Sequence, residues 1–272
     1  MKIPFRAAMI TGSSRGIGRA IAVKFAQEGV SRIAIHYHSR REEAEKTLAL
    51  VRNAGADGVV VQGDTSDAKR AGEIVEEAAS QLGGCDIFVQ SAVPTLDQIY
   101  EHTLATEVPL AKWQLAYDSQ ARAFFVGAPL AAKHMKSGGR ILALSYTPGG
   151  VTGGWQPWVG MGSAKAAIES MCRYFAVALA RQGITVNAVS PGVSDDTTLI
   201  GQTAKEVQDA LKEWAESGWT PTRRPVTPMD VANVCAMLCT EEASVVTGQT
   251  IAVDGGSSLM NPDFPLALQV PK

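Results

Sequence analysis

Between an apolar run and a helical pattern near the start of the chain lies Thr11-Gly12-Ser13-Ser14-Arg15-Gly16-Ile17-Gly18. The run before it, Ala7–Ile10, is short and entirely apolar, which is typical of a strand covered on both faces. After it, apolar residues recur at helical spacing at Ile17, Ala20, Ile21 and Phe25. The pattern predicts a buried strand, a tight turn and a helix that begins within the turn.

The three glycines of this stretch predict a phosphate site. Gly12 permits a tight turn, Gly16 lets a pyrophosphate approach the backbone, and Gly18 lets the helix lie close to the strand. A helix that begins here directs free N–H groups and the positive end of its dipole at a bound anion. The strand, turn and helix together therefore favour a dinucleotide-binding site.

Composition limits the function classes. Of the 272 residues 46% are hydrophobic and 19% charged, which suits a globular domain, and the net charge of -2 with no basic stripe does not favour nucleic acid. The first six residues are too short and polar for a signal peptide, and no apolar run is long enough to span a bilayer. A cytoplasmic protein without membrane contact is therefore expected.

Cysteine and histidine do not predict a metal site. The four cysteines contain no C-x-x-C pair, so buried, reduced thiols are expected. His36 and His38 lie on one face of a strand end without a third ligand nearby.

The rest of the chain alternates between strands and helices. Further strands are predicted at 33–35, 58–62, 87–89, 140–145, 185–190 and 250–253. Helices are predicted at 42–53, 68–82, 110–135, 162–182 and 229–239, the second of them capped by Asp67. This alternation predicts an α/β fold with a doubly wound parallel sheet of the Rossmann type, formed by one domain over residues 1–272. Residues 195–219 are predicted to form a helical flap over the substrate.

The end of the second strand indicates which dinucleotide binds. An acidic residue at this position would hydrogen-bond the 2′-hydroxyl of NAD, but no Asp or Glu occurs before Glu42. Ser39 and Arg40, with Arg41 and with Arg15 in the turn, can instead accept a 2′-phosphate. We therefore predict NADPH as the cofactor; the alternative is that the two arginines merely solvate the start of a helix.

The turn, T-G-x-x-x-G-x-G, resembles the cofactor loop of the short-chain dehydrogenase/reductase family, and the resemblance extends over nearly the whole chain. It implies that Asp64 reaches the adenine and that the Pro-Gly segment at 191–192 lines the nicotinamide. It also implies a homotetramer formed through the helices at 110–135 and 162–182. The predicted cofactor-binding residues are Gly12, Ser14, Arg15, Gly16, Ile17, Gly18, Ser39, Arg40, Asp64, Thr65, Ser91, Ala92, Lys165, Pro191, Gly192 and Val193.

The family's catalytic residues, an Asn, a Ser and a Tyr-x-x-x-Lys, are matched only in part. Lys165 occupies the lysine position, where the family uses it to bind the nicotinamide ribose and to lower the tyrosine pKa. Met161 replaces the tyrosine and has no proton to donate. Gln120 occupies the Asn position, and Tyr146, preceded by Ser145, occupies the Ser position.

Two blocks are similar to bacterial enoyl-acyl-carrier-protein reductases, divergent members of this superfamily. They are Leu144-Ser145-Tyr146 with the helix containing Lys165, and the segment 220–227. In that group the tyrosine stands seven residues before the lysine, where this chain has Trp158. An indole N–H can donate a hydrogen bond but is not a general acid.

Three functions remain as hypotheses, two of them reductions and one a non-catalytic role. Reduction of an enoyl thioester forms an enolate that needs hydrogen-bond donors, whereas ketone reduction needs a proton as the hydride arrives, so loss of the tyrosine should harm ketone reduction more. We therefore expect an NADPH-dependent reductase acting on an enoyl thioester of acyl-carrier protein or coenzyme A. The alternatives are a 3-oxoacyl-thioester or other carbonyl reductase, with Tyr146 as the acid, and a non-catalytic NADPH-binding protein.

The predicted site residues have competing structural interpretations. Tyr146 is either the oxyanion donor or an aromatic wall of the pocket, and Gln120 is either catalytic or a polar contact that stabilises its helix. The predicted catalytic residues are Lys165, Tyr146, Ser145 and Gln120. The predicted substrate pocket contains Tyr146, Trp155, Trp158, Met161 and Leu199, with no metal.

Overall fold

A single parallel sheet organises the domain. The computed structural model describes residues 2–136, 138–146, 156–192 and 205–260. Within these residues seven strands pair in parallel in the order β3-β2-β1-β4-β5-β6-β7. They are β1 Ala7–Ile10, β2 Arg32–Tyr37, β3 Asp57–Gln62, β4 Ile87–Gln90, β5 Gly139–Leu144, β6 Ile184–Pro191 and β7 Thr250–Val253. The predicted Rossmann-type, doubly wound fold is confirmed.

Helices connect and cover the strands. They are α1 Gly16–Gln27, α2 Arg41–Asn53, α3 Ala68–Leu82, α4 Leu96–Ile99, α5 Leu110–Tyr117, α6 Ala123–Lys133, α7 Val159–Leu179, α8 Lys205–Trp214 and α9 Pro228–Leu238. Asp67 caps α3 as predicted, because its Oδ1 accepts a hydrogen bond of 2.7 Å from the Arg70 amide. The long helix predicted at 110–135 is two helices joined by a π-helical turn, Asp118–Arg122. No helix in the described part of the chain has the length and apolar character needed to cross a bilayer.

The sheet is covered on both faces, which explains the apolar runs of its central strands. In β1, Ala8 and Ile10 pack into a cluster with α1 and α9, whereas Ala7 and Met9 pack into a second cluster with α3, α6 and α7. All four residues are buried. The four cysteines are free and buried, as predicted.

The strand order reverses between β1 and β4. From β1 the chain continues to β2 on one side of the sheet, and it later returns to place β4 on the other side. In open parallel sheets the carboxyl ends of the strands open a crevice at such a point. The turn at 11–18 leaves the carboxyl end of β1 and therefore lies beside this crevice.

Candidate active site

The glycine-rich turn has the backbone that its sequence requires. Gly12 and Gly16 have φ of +64° and +57°, a region that favours glycine. A Cβ on Gly12 would lie 2.6 Å from the Ala92 Cα, so a side chain there would collide with the loop after β4. A Cβ on Gly18 would lie 2.5 Å from the Gly12 carbonyl oxygen. Gly18 thus allows α1 to approach the turn, whereas the sequence suggested an approach to the strand.

Thr11 joins this turn to the loop after β4. Its Oγ1 accepts hydrogen bonds from the amides of Ser91 at 2.9 Å and Ala92 at 3.0 Å. The same hydroxyl donates to the Val89 carbonyl at 3.4 Å. One buried side chain therefore fixes the two loops that flank the point where the strand order reverses.

His36 joins the turn to the loop after β3. Its Nδ1 lies 3.0 Å from the Gly12 amide nitrogen, and its Nε2 lies 3.1 Å from the Gly63 carbonyl oxygen. Burial lowers the pKa of this imidazole to about 4, although the Gly63 hydrogen bond acts in the opposite direction. Both ring nitrogens face backbone groups, which accounts for this histidine without a metal.

A cleft of about 250 Å³ lies between these loops. It collects many of the predicted cofactor-binding residues, namely Gly12, Ser14, Arg15, Ser39, Arg40, Asp64, Thr65, Ser91 and Ala92. Residues that the sequence did not suggest also line it: His36, Tyr37, His38, Val93, Pro94, Thr95, Gln98, Leu115 and Ser119. Gly16, Ile17 and Gly18 form the first turn of α1. The cleft therefore leads from the start of a helix to the end of β2, as a dinucleotide site requires.

The end of β2 and the loop after β3, which are the two segments predicted to contact the adenosine, carry opposite charges. Ser39 and Arg40 are exposed at the end of β2 and line the cleft, whereas Arg41 approaches Glu45 of α2 at 3.6 Å. Across from them, Asp64 accepts a 2.8 Å hydrogen bond from the Ser66 amide. Burial raises the pKa of Asp64, but the hydrogen bonds with Ser66 and the neighbouring imidazoles of His38 and His36 together lower the pKa overall.

Lys165 projects from α7 into a buried position. Its Nζ donates to the Leu144 carbonyl at the end of β5, at 2.8 Å. The side chain is 7% exposed, and burial lowers its pKa to about 7 against the opposing effect of Glu169. A lysine that is only partly charged near neutral pH can hydrogen-bond neutral hydroxyls such as those of a ribose.

Ser145 and Tyr146 follow β5 and point to different partners. The Ser145 hydroxyl donates to the Glu169 carboxylate one turn after Lys165 on α7. The Tyr146 ring packs edge-on against Trp158, with ring centroids 6.4 Å apart, and Trp158 contacts Tyr100 in the same manner at 5.8 Å. Burial raises the pKa of Tyr146. The phenol therefore remains protonated at neutral pH and is available as a hydrogen-bond donor.

Gln120 lies in the π-helical turn and contacts Met161. Its Nε2 donates to the Ala116 carbonyl at 3.0 Å and approaches the Met161 sulfur at 2.9 Å. Its Oε1 is buried and has no hydrogen-bond partner within the described residues. Met161 is 4% exposed and packs with Ile99 and Ala116. The positions that correspond to the family's Asn and Tyr thus lie in contact with each other.

The end of β6 forms another part of the sheet's carboxyl edge. Pro191 ends this strand, and the Gly192 amide donates to the Val253 carbonyl of β7 at 3.0 Å. A Cβ on Gly192 would lie 2.7 Å from the Asp254 Cβ, so glycine is required for this close approach. Trp155, Val193 and Leu199 lie outside the described residues, so their predicted roles stay predictions.

Sequence reasoning missed the bridging roles of Thr11, His36 and Glu169. His36 carried a signal, because it is a potentially charged side chain directly after the apolar residues 33–35. Thr11 carried a weaker one, as a hydroxyl directly after a buried strand. Glu169 gave no local signal, because its partner Ser145 is 24 positions earlier in the chain.

Known proteins match the chain over most of its length. A family model described as Enoyl-(Acyl carrier protein) reductase matches residues 12–258. The 1-cyclohexenylcarbonyl-CoA reductase of Streptomyces collinus is 36% identical over 258 residues, which cover 94% of this chain and 88% of the relative. A 3-oxoacyl-(acyl-carrier-protein) reductase of Staphylococcus aureus is 33% identical over 255 residues, covering 92% of this chain and 97% of the relative.

Solved structures agree with the sequence relatives. A putative short-chain alcohol dehydrogenase from Sinorhizobium meliloti superposes with a TM-score of 0.83 at 28% identity, covering 94% of this chain and 97% of the other. A short-chain dehydrogenase from Burkholderia cenocepacia, in complex with NADP, superposes with a TM-score of 0.81 at 28% identity, covering 93% and 97%. The chain belongs to the short-chain dehydrogenase/reductase family, whose members are oxidoreductases that bind NAD(P).

Proposed function

We propose that the protein uses NADPH to reduce the 2,3 double bond of an enoyl thioester of acyl-carrier protein or coenzyme A. The observation that carries this proposal is the buried contact between Met161 and Gln120. At the two positions where carbonyl-reducing members of the family keep a phenol and an Asn, this chain has a thioether and a primary amide. The thioether has no proton to give the alkoxide of a ketone reduction, whereas Gln120, like the Asn that it replaces, is an amide and not a general acid.

The residues that remain suit the stabilisation of an enolate. A reduced nicotinamide bound in the cleft would supply the hydride. Charge would collect on the thioester oxygen, where a neutral phenol is an effective hydrogen-bond donor, and the α-carbon would then take a proton from an acid or from water. The raised pKa of Tyr146 keeps its hydroxyl protonated, which favours this role over proton transfer. Lys165, held at the end of β5 by the Leu144 carbonyl, is assigned to the nicotinamide ribose.

The substrate pocket is assigned to the aromatic side chains near α7. Trp158 contacts both Tyr100 and Tyr146 edge-on, and the three rings would provide an apolar wall suited to an acyl chain. We assign the flap to residues 195–219, of which α8 and the turn after it are described. Within this part the rings of Trp214 and Trp219 stack with centroids 6.4 Å apart. Relatives that act on thioesters of coenzyme A and of acyl-carrier protein support this substrate class.

Turnover assays with paired substrates test the reaction. Purified protein is offered NADPH with an enoyl thioester and, separately, with the matching 3-oxoacyl thioester. We expect oxidation of NADPH with the enoyl substrate only. Tyr146→Phe should lower kcat by about 100-fold, as loss of an oxyanion donor does, whereas Tyr100→Phe, in the same aromatic cluster, should not. Turnover of the ketone alone, or full turnover by Tyr146→Phe, would contradict the proposal.

The second candidate is reduction of a 3-oxoacyl thioester. It is favoured by the 33% identical Staphylococcus aureus relative, and the same paired assay distinguishes it. Failure to turn over either thioester, with NADPH still bound, would favour a different substrate or the non-catalytic alternative.

NADPH is proposed over NADH because of the residues at the end of β2. Ser39 and Arg40 line the cleft, and no acidic side chain occurs between His36 and Arg41. Arg40→Ala should weaken NADPH binding but leave NADH binding unchanged. Arg41→Ala is the matched control, because Arg41 pairs with Glu45 and does not line the cleft. Equal affinity of the wild type for both dinucleotides would contradict this assignment.

A homotetramer is proposed from an exposed apolar surface on α6 and α7. The side chains of Phe125, Tyr174 and Val177 are 60%, 75% and 81% exposed. Apolar surface of this kind is typical of a contact with another chain. Sedimentation analysis should give four chains for the wild type and smaller species for Val177→Glu. Leu50→Glu, at an exposed apolar side chain on α2, is the control and should not change the mass.

A further inference from the structure

Residue 36 is hydrogen-bonded to two consecutive residues of the glycine-rich turn. The Gly12 amide donates to the imidazole Nδ1 at 3.0 Å. The Ser13 amide donates to the His36 carbonyl at 3.0 Å, and the His36 amide donates to the Ser13 hydroxyl, also at 3.0 Å. The Ser13 hydroxyl in turn donates to the Ile10 carbonyl at 2.7 Å. The end of β2 therefore holds the start of the turn through both backbone and side chain.

These contacts determine the tautomer of the imidazole. An amide N–H can only donate, so Nδ1 must carry the lone pair that accepts from Gly12. The proton then resides on Nε2, which donates to the Gly63 carbonyl at 3.1 Å. The side chain is 2% exposed, and its burial keeps it neutral. The neutral ring thus satisfies one backbone donor and one backbone acceptor from two separate loops.

Both loops belong to the adenosine half of the cleft. Gly12 and Ser14 line it on one side, and Asp64 and Thr65, directly after Gly63, line it on the other. A shift of either loop would change the width of the site for the adenosine and its phosphates. The imidazole joins the two loops directly, and no backbone hydrogen bond joins residues 11–18 to residues 63–65 within the described chain.

We propose that His36 is a positioning residue for the cofactor, which holds the glycine-rich turn and the loop at 63–65 at the separation that the adenosine half of the dinucleotide requires. This inference rests on the cofactor site assigned above. It gives His36 no contact with the reacting atoms, so its replacement should change cofactor affinity much more than kcat at saturating NADPH.

Two substitutions at position 36 and one matched control test the role. His36→Leu removes both side-chain bonds, whereas His36→Asn offers an oxygen near the position of Nδ1 and can still accept from Gly12. Asn187→Leu is the control. Its amide is fully buried in β6 and also bridges two backbone groups, the Val246 carbonyl at 2.7 Å and the Gln249 amide at 3.0 Å, but it does not line the cleft.

Binding is measured without substrate, so the result does not depend on the reaction proposed above. NADPH is titrated by its fluorescence, and 2′-phospho-ADP-ribose, which lacks the nicotinamide, is titrated by calorimetry. We expect His36→Leu to weaken both ligands equally, by about tenfold or more, because it leaves two backbone groups unpaired. His36→Asn keeps the Gly12 bond but is too short to reach Gly63, so it should weaken both ligands by more than about threefold and by less than His36→Leu does. Asn187→Leu should lower Tm but leave both dissociation constants unchanged.

Several outcomes would overturn the inference. They are an unchanged dissociation constant in His36→Leu or in His36→Asn, weakening of NADPH without weakening of the fragment, and equal weakening by His36→Asn and His36→Leu. If His36→Leu does not fold, His36→Gln replaces it, since its longer amide reaches toward Gly63 but leaves Gly12 without an acceptor. A wild type that binds neither ligand would overturn the proposed cofactor as well, which separates that failure from the failure of the inference alone.

Discussion

Replacing Lys165 by methionine should stabilise the cofactor-free protein at neutral pH while abolishing reduction. The lysine is 7% exposed, and burial lowers its pKa from 10.5 to about 7. At about 1.36 kcal/mol per pKa unit, holding the charged form in the fold costs about 5 kcal/mol below pH 7. Methionine removes this cost but leaves the Leu144 carbonyl without its donor, at about 1–3 kcal/mol. The net expectation at pH 6 is a stabilisation of about 2–4 kcal/mol.

The sign of this effect should depend on pH. Between pH 7 and 10.5 the folded wild type loses the Lys165 proton while the unfolded chain still keeps it. The unfolded state then binds more protons, so the stability of the wild type rises with pH, and the advantage of Lys165→Met should shrink by about 3 kcal/mol between pH 7 and 9.5. The gain at neutral pH is therefore expected to disappear in base.

Urea unfolding of the cofactor-free proteins measures these differences. Circular dichroism at pH 6, 7, 8 and 9.5 gives the free energy of unfolding, at one fixed protein concentration because association would shift it. Lys69→Met, at an exposed lysine, controls for the loss of a lysine. Turnover of Lys165→Met should fall by at least about 100-fold. The reasoning is refuted if Lys165→Met is less stable than the wild type at pH 6, or if the difference does not change with pH.

Two further substitutions and one pH dependence give separate expectations. Gly12→Ala should lower the free energy of unfolding in urea by about 3 kcal/mol, because φ is +64° and the Cβ would lie 2.6 Å from the Ala92 Cα. Gly55→Ala is the control and should lower it by only about 1 kcal/mol, because Gly55 has φ of +96° but open space around it. The free energy of unfolding of the wild type should fall by about 3 kcal/mol between pH 6.5 and 4. Burial lowers the pKa of His36 to about 4, so the unfolded chain takes up the proton at a higher pH than the folded protein does. An equal fall in the free energy of unfolding of His36→Asn over the same pH range would contradict this. Gln120→Leu should keep kcat within about threefold, because its Oε1 has no partner within the described residues; a loss of about 100-fold would instead make Gln120 catalytic.

The sequence predicted the first strand, turn and helix because their determinants are local. Gly12 needs a positive φ within its own turn, and the apolar residues of β1 need only a sheet with two covered faces. The same reasoning located the cap at Asp67, whose partner is three residues away. Local patterns therefore predicted the fold class, which is confirmed, and the phosphate end of the candidate site, which stays a prediction.

Contacts between distant positions were beyond such patterns. The partners of His36 are 24 and 27 residues away, and they meet it only because β2 lies between β1 and β3 in a fixed register. The π-helical turn at Asp118–Arg122 was hidden for a different reason. Apolar spacing is similar on both sides of such a turn, so the pattern reads as one helix although the backbone changes within it.

The contact between Gln120 and Met161 joins two positions at which the candidate active site differs from the family pattern. These positions are 41 residues apart, yet the amide nitrogen lies 2.9 Å from the sulfur, so the environment of each depends on the other. A tyrosine at 161 alone would place a phenol against the buried amide of Gln120, whose Nε2 is already directed at the Ala116 carbonyl. Because Met161 is only 4% exposed, this phenol would be buried beside the amide. We therefore expect substitutions at positions 120 and 161 to affect ketone reduction non-additively, since residues in contact do not act additively.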